Sequence, residues 1–114
     1  MEKTEHINCI DSLLPISDAL EAINGKWKLL IITSISSGNS RFKEIERSIP
    51  KLSSKVLAKE LKDIETHMLI QRTVAEDTSL IYYTLTPYAE SLRELMLALR
   101  AWGKGHREKV IANF

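Results

Sequence analysis

Apolar positions recur at helical spacing along most of the chain and change to strand-like runs once. Over residues 15–23, Ile16, Ala19, Leu20 and Ile23 share one helical face, and Asn24-Gly25 supplies the stop. A second helix is expected over 26–36, more deeply buried, around Trp27, Leu30, Ile31 and Ile35, and ending at Gly38. Ser40 is the natural cap for a third, 41–48, that buries Phe42 and Ile45. Pro50 then closes it, because the residue before a proline is pushed out of the helical region.

Ser53 caps a fourth helix, 53–67, whose two faces differ sharply. With Leu57 set at zero and about 100° per residue, Leu61 lies near +40°, Ile64 near −20° and Met68 near +20°. Lys55, Lys59 and Lys62 fall at about +160°, −160° and +140°. One side is core and the other is a lysine stripe. These lysines are like-charged neighbours at (i, i+4) and (i, i+3), a mild repulsion that an external polyanion would relieve. Two β-like runs follow, 69–75 and 80–85, joined by the polar link Glu76-Asp77-Thr78-Ser79, so a hairpin is expected over about 69–85. Thr86-Pro87 is a strong helix start. The final helix, about 87–102, aligns Leu92, Leu95, Met96, Leu99 and Trp102, and Gly103 and Gly105 are expected to loosen or end it. The fold class is therefore α+β, mainly α, in a single domain over residues 1–114.

Composition narrows the function more than it suggests one. The 114 residues are 44% hydrophobic and 27% charged, enough for one core and too apolar for a disordered chain. The single cysteine, Cys9, excludes a disulfide-stapled secreted domain. No apolar run approaches a membrane span, and the amino-terminal residues lead into no signal-peptide core, so a reducing, cytoplasmic setting is expected.

Net charge is only +1, but it is unevenly placed. Residues 1–25 carry one basic and five acidic side chains, whereas residues 26–62 carry nine basic and three acidic, a net of +6. Residues 63–85 return to −3. A basic middle between acidic flanks suggests an anion-facing surface confined to one part of the domain.

Catalytic readings fail on inventory. His6, His67 and His106 are far apart, and Cys9 has no neighbour at metal-ligand spacing, so no metal and no cofactor is implied. Gly25-Lys26 lacks the upstream glycine of a phosphate loop, and Trp27 stands where its hydroxyl residue should be. Glu76-Asp77 reads as a solvated hairpin tip, and no nucleophile-elbow pattern exists. An enzyme is not expected.

Helix, tight link, helix with a charged outer face, then hairpin is the order of a winged helix-turn-helix, in which the second helix enters the major groove of double-stranded DNA. Along the chain stand Gly25-Lys26-Trp27, Arg41-Phe42-Lys43-Glu44-Ile45, Ile49-Pro50 and Leu52-Ser53-Ser54-Lys55-Val56-Leu57. Then come Leu61-Lys62-Asp63-Ile64-Glu65, Leu69-Ile70-Gln71-Arg72, Tyr83-Thr84-Leu85-Thr86 and Trp102-Gly103. In these segments the chain resembles the HxlR-type winged-helix regulators of bacteria and archaea, relatives of the MarR-like regulators. The resemblance implies a homodimer that binds a short two-fold-related site and regulates transcription. Three departures stand out. Leu14-Pro15 replaces a common Cys-Pro pair, which leaves Cys9, five residues upstream of Leu14, as the candidate redox sensor with no evident cation to lower its pKa except His6. Met68 and Ala89 replace two glycines usual in the family, and a methionine is less comfortable than glycine in a left-handed turn.

On this reading Ser53, Ser54 and Lys55 open the recognition helix and reach base edges and the nearest phosphates, while Lys59 and Lys62 position it. Arg41 and Lys43 meet the crossing backbone. Arg72 either anchors the base of the wing or pairs with Glu65 or Asp63. Leu92, Leu95, Met96, Leu99 and Trp102 are expected to meet a second copy of the chain, with the first helix joining. The competing reading is a winged-helix protein-interaction module without DNA binding, in keeping with the acidic wing tip and the small net charge.

Overall fold

The computed structural model describes residues 11–113. Its elements are α1 (Leu13–Ile23), α2 (Lys28–Ser36), α3 (Phe42–Ser48), α4 (Ser54–Thr66), β1 (Ile70–Val74), β2 (Ile81–Leu85), a 3-10 turn (Pro87–Leu92) and α5 (Arg93–Ala112). The core lies between α2, α3, α4 and the base of the hairpin. Ile31, Ile32, Ile45, Leu57, Leu61 and Ile64 are its fully enclosed side chains. Leu30, expected inside, is exposed; Ile32, the residue two further on, is buried instead. Trp27, Phe42, Leu92 and Met96 pack against this core while keeping some exposure.

The joints between helices are set by local chemistry. Ser40 does not cap α3. Its carbonyl accepts the Tyr83 N–H at 2.7 Å, tying β2 to the entry of the helix-turn-helix. The Glu44 carboxylate takes over the capping role and accepts the backbone N–H groups of Ser40 and Arg41, each at 3.1 Å. In the turn, Ile49 and Leu52 are buried, and Lys51 between them takes a left-handed φ of 68°. Ser53 caps α4 as expected, its hydroxyl accepting the Val56 N–H at 3.2 Å.

The end of α4 corrects one sequence expectation. The helix stops at Thr66, so Met68 does not extend the apolar stripe and is largely exposed. Met68 adopts φ 64°, its N–H bonds the Glu65 carbonyl at 2.9 Å, and the Leu69 N–H bonds the Ile64 carbonyl at 3.3 Å. These two bonds close the helix in a left-handed C-terminal cap, a position that glycine occupies most readily. The cap turns the chain into β1, which pairs antiparallel with β2 in the register Ile70↔Leu85 through Val74↔Ile81.

Thr86 caps the next segment, accepting the Ala89 N–H at 3.2 Å and donating to the Met68 carbonyl at 2.6 Å. The first turns are 3-10, and the α-helix then runs through Gly103 and Gly105 to Ala112. The expected break at the two glycines does not occur. Each costs a helix only about 1 kcal/mol relative to alanine and keeps its N–H, unlike proline. The surrounding Lys104, Arg107, Glu108 and Lys109 sustain the helix.

Candidate nucleic-acid interface

The lysine stripe stands outward. Lys55, Lys59 and Lys62 are all exposed on α4, while Leu57, Leu61 and Ile64 on the reverse side are at most 2% exposed. The separation read from the 3.6-residue period is therefore a property of the folded chain. None of the three ammonium groups has an ion-pair partner among the described residues.

The residues around the start of α4 are more constrained. Ser53 spends its hydroxyl on the cap. The Ser54 hydroxyl donates to a Glu46 carboxylate oxygen, a hydrogen bond that joins α3 to the first residue of α4. Lys43 Nζ lies 3.6 Å from the other oxygen of Glu46. The Ser54 hydrogen bond holds the Glu46 carboxyl below its usual range; burial opposes it, and the charges of Lys43 and Arg47 reinforce it. Arg41 is exposed at the entry to α3. It shares a cleft of about 420 Å³ with Lys43, Glu44, Arg47, Ser79 and Leu80, so α3 and the hairpin form one recess in which three cations outnumber one carboxylate. Arg72 is exposed on β1 and makes no ion pair among the described residues. The pairing with Asp63 does not form, because Asp63 faces α2 instead.

That partner is Lys28, which sequence reasoning missed as a structural residue. Its ammonium lies 3.1 Å from Glu60 Oε2 and 3.6 Å from Asp63 Oδ2, and the Lys28 and Glu60 side chains are only 8% and 9% exposed. The signal was present: Lys28 precedes Ile31, Ile32 and Ile35 by three, four and seven residues, and Glu60 lies between Leu57 and Ile64 at the same spacings. Each ion sits at the edge of an apolar face, and the two edges meet where α2 packs on α4.

The second expected surface is on α5. Leu95, Leu99 and Trp102 are exposed there, whereas Leu92 and Met96 turn partly toward the chain's own core. Trp102 stacks on His106 with ring centroids 4.8 Å apart. On α1, Leu13, Leu14, Ile16 and Leu20 are also exposed. A groove of about 450 Å³ between the two helices is lined by Ala19, Ala22, Ile23, Met68, Leu92 and Leu95 among others. Cys9 lies outside the described residues. No helix among the described residues is long and apolar enough to cross a membrane.

Two helices joined by a tight turn, the second bearing a cationic outer face and followed by a hairpin, define a winged helix-turn-helix protein. The chain belongs to the HxlR-like helix-turn-helix family, whose pattern matches residues 22–110. It is 37% identical over 93 residues to an uncharacterized HTH-type transcriptional regulator of Methanothermobacter thermautotrophicus, covering 81% of this chain and 71% of that one. YtcD of Bacillus subtilis, also named an HTH-type transcriptional regulator, is 32% identical over 98 residues, 85% of this chain and 78% of the relative. The solved structure of the redox regulator HypR in its reduced form matches with a TM-score of 0.78 at 27% identity, over 88% of this chain and 99% of that one.

Proposed function

We propose that this protein is a sequence-specific DNA-binding transcriptional regulator of the cytoplasm, acting as a homodimer on a two-fold-related operator. The observation that carries the reading is the unpaired, outward row of Lys55, Lys59 and Lys62 on the second helix of a helix-turn-helix. Residues of α4 enter the major groove: Ser54 and Lys55 lie toward base edges, with Lys59 and Lys62 on phosphates. Ser53 contributes through the cap that orients the helix. Arg41 and Lys43 meet the backbone where it crosses α3, and Arg72 holds the base of the wing. The wing tip carries Glu76 and Asp77, so the hairpin approaches phosphate along its sides rather than end-on.

Leu95, Leu99 and Trp102, continued by Leu92 and Met96, form the dimer contact with α1 alongside. Pairing through these helices sets two recognition helices about 34–36 Å apart, one turn of DNA. Relatives named as transcriptional regulators support a regulator rather than an enzyme.

The test is binding of the purified protein to duplex fragments from the DNA flanking its own coding region. A dimer that neutralises about 6–10 phosphates loses roughly 10³–10⁵ in affinity between about 50 and 200 mM salt. Binding that ignores salt, or that occurs to no fragment, overturns the reading. The acidic wing tip favours one competitor, a protein-interaction module; it predicts a protein complex that survives replacement of all three stripe lysines by alanine.

A further inference from the structure

Two side chains assigned above to DNA, Lys43 and Ser54, are not idle in the free protein: both are held by Glu46. One carboxylate oxygen accepts the Ser54 hydroxyl and the other faces the Lys43 ammonium at 3.6 Å. Arg47, the next residue along α3, lies close enough to add its charge to the same carboxylate. The Glu46 side chain keeps about a fifth of its surface open, so the carboxylate belongs to the basic surface and not to the core.

We infer that Glu46 is a specificity-determining residue, a carboxylate that holds Lys43 and Ser54 away from phosphate and so lowers affinity for DNA of arbitrary sequence. The inference rests on the DNA-binding reading above. Discrimination is a difference of affinities, and a repulsive element enlarges it when the wrong ligand offers nothing to offset the repulsion. A phosphate drawn to Lys43 must displace Glu46 or approach it at close range, like charge against like. That penalty is the same for every duplex. Only a duplex whose base edges satisfy the start of α4 recovers it, because a carboxylate and a serine hydroxyl can both bond base-edge groups in the major groove, whereas phosphate oxygens can only repel the carboxylate.

The test compares wild type with Glu46→Gln on a random-sequence duplex across a salt series. Glutamine keeps an acceptor for Ser54 and removes the charge. One additional phosphate contact per protomer steepens the dependence of log affinity on log salt by about 0.9, or near 2 per dimer. Affinity for the random duplex is expected to rise roughly tenfold or more at about 100 mM salt. Adding Lys43→Ala in the Glu46→Gln background is expected to return the slope to wild type or below. Ser54→Ala, which breaks the hydrogen bond and keeps the charge, is expected to leave random-duplex affinity no higher than wild type.

A Glu46→Gln protein with unchanged or weakened random-duplex affinity and an unchanged slope overturns the inference and makes Glu46 a strut between α3 and α4. Should wild type bind duplex with a steep salt dependence while the variant matches it, only this inference falls. Should neither bind any duplex, the DNA-binding reading falls with it.

Discussion

Both α4 and α5 are amphipathic, and their apolar stripes meet different ends. On α4 the stripe is closed within the chain: Leu57, Leu61 and Ile64 are essentially sealed by α2, α3 and the base of the hairpin. On α5 it is left half-finished, with Leu95, Leu99 and Trp102 at 38%, 44% and 68% exposure. The residue types are alike, so the difference lies in what the fold brings opposite them. A stripe completed inside one chain fixes the orientation of its helix and leaves the reverse face for charge. A stripe left open is uncommon on a monomer's surface, and it is the surface proposed above for the dimer contact.

The contrast can be broken at several points, the largest effect first. Lys28→Ala leaves Glu60 enclosed without its cation beside α4, and a loss of about 3–5 kcal/mol is expected in urea unfolding. An unfolding midpoint near wild type would mean that the α2–α4 contact does not depend on the pair. Trp102→Glu acts on the open stripe: dimer affinity, read by sedimentation, is expected to fall by about 2 kcal/mol or more, while α4 keeps its fold. A dimer that tolerates glutamate there would place the partner contact elsewhere. Met68→Gly relieves the left-handed cap between α4 and β1. Removing a strain of about 1–2 kcal/mol, less the added flexibility of the unfolded chain, gives an expected gain of roughly 0.5–1 kcal/mol and a higher melting temperature. Lys59→Ala touches only the outer face of α4. Its stability is expected to stay within about 0.5 kcal/mol of wild type, while the salt slope of DNA binding falls by about 0.9 per protomer.

The order of elements was legible because each boundary is local chemistry. Ser53, Thr86-Pro87 and Pro50 mark helix starts and a stop whatever packs around them, and the stripe of Lys55, Lys59 and Lys62 follows from the helical period alone. Where the structure departs from the local pattern, the deciding force is not local. Met68 fits the apolar phase of α4, yet the chain must turn into β1, and it accepts a left-handed methionine to do so. Gly103 and Gly105 look like stops, but their neighbours carry the helix past them. Lys28 counted as one more surface cation in the basic middle, since only the packing of α2 on α4 reveals the two carboxylates that receive it. The hydrogen bond from Ser54 to Glu46 is of the same kind: its eight-residue reach crosses the turn and depends on the angle between α3 and α4, whereas Lys43 and Glu46 pair locally three residues apart on α3.

The enclosed amine of Lys28 also gives the molecule an internal clock. Acylating reagents need a reachable nitrogen, and enclosure beside the two carboxylates denies that while α2 and α4 stay together. The amines of Lys55, Lys59 and Lys62 meet reagent in the native state. Mass spectrometry of the labelled protein over time would therefore record two rates, and the slower one measures how often those two helices part.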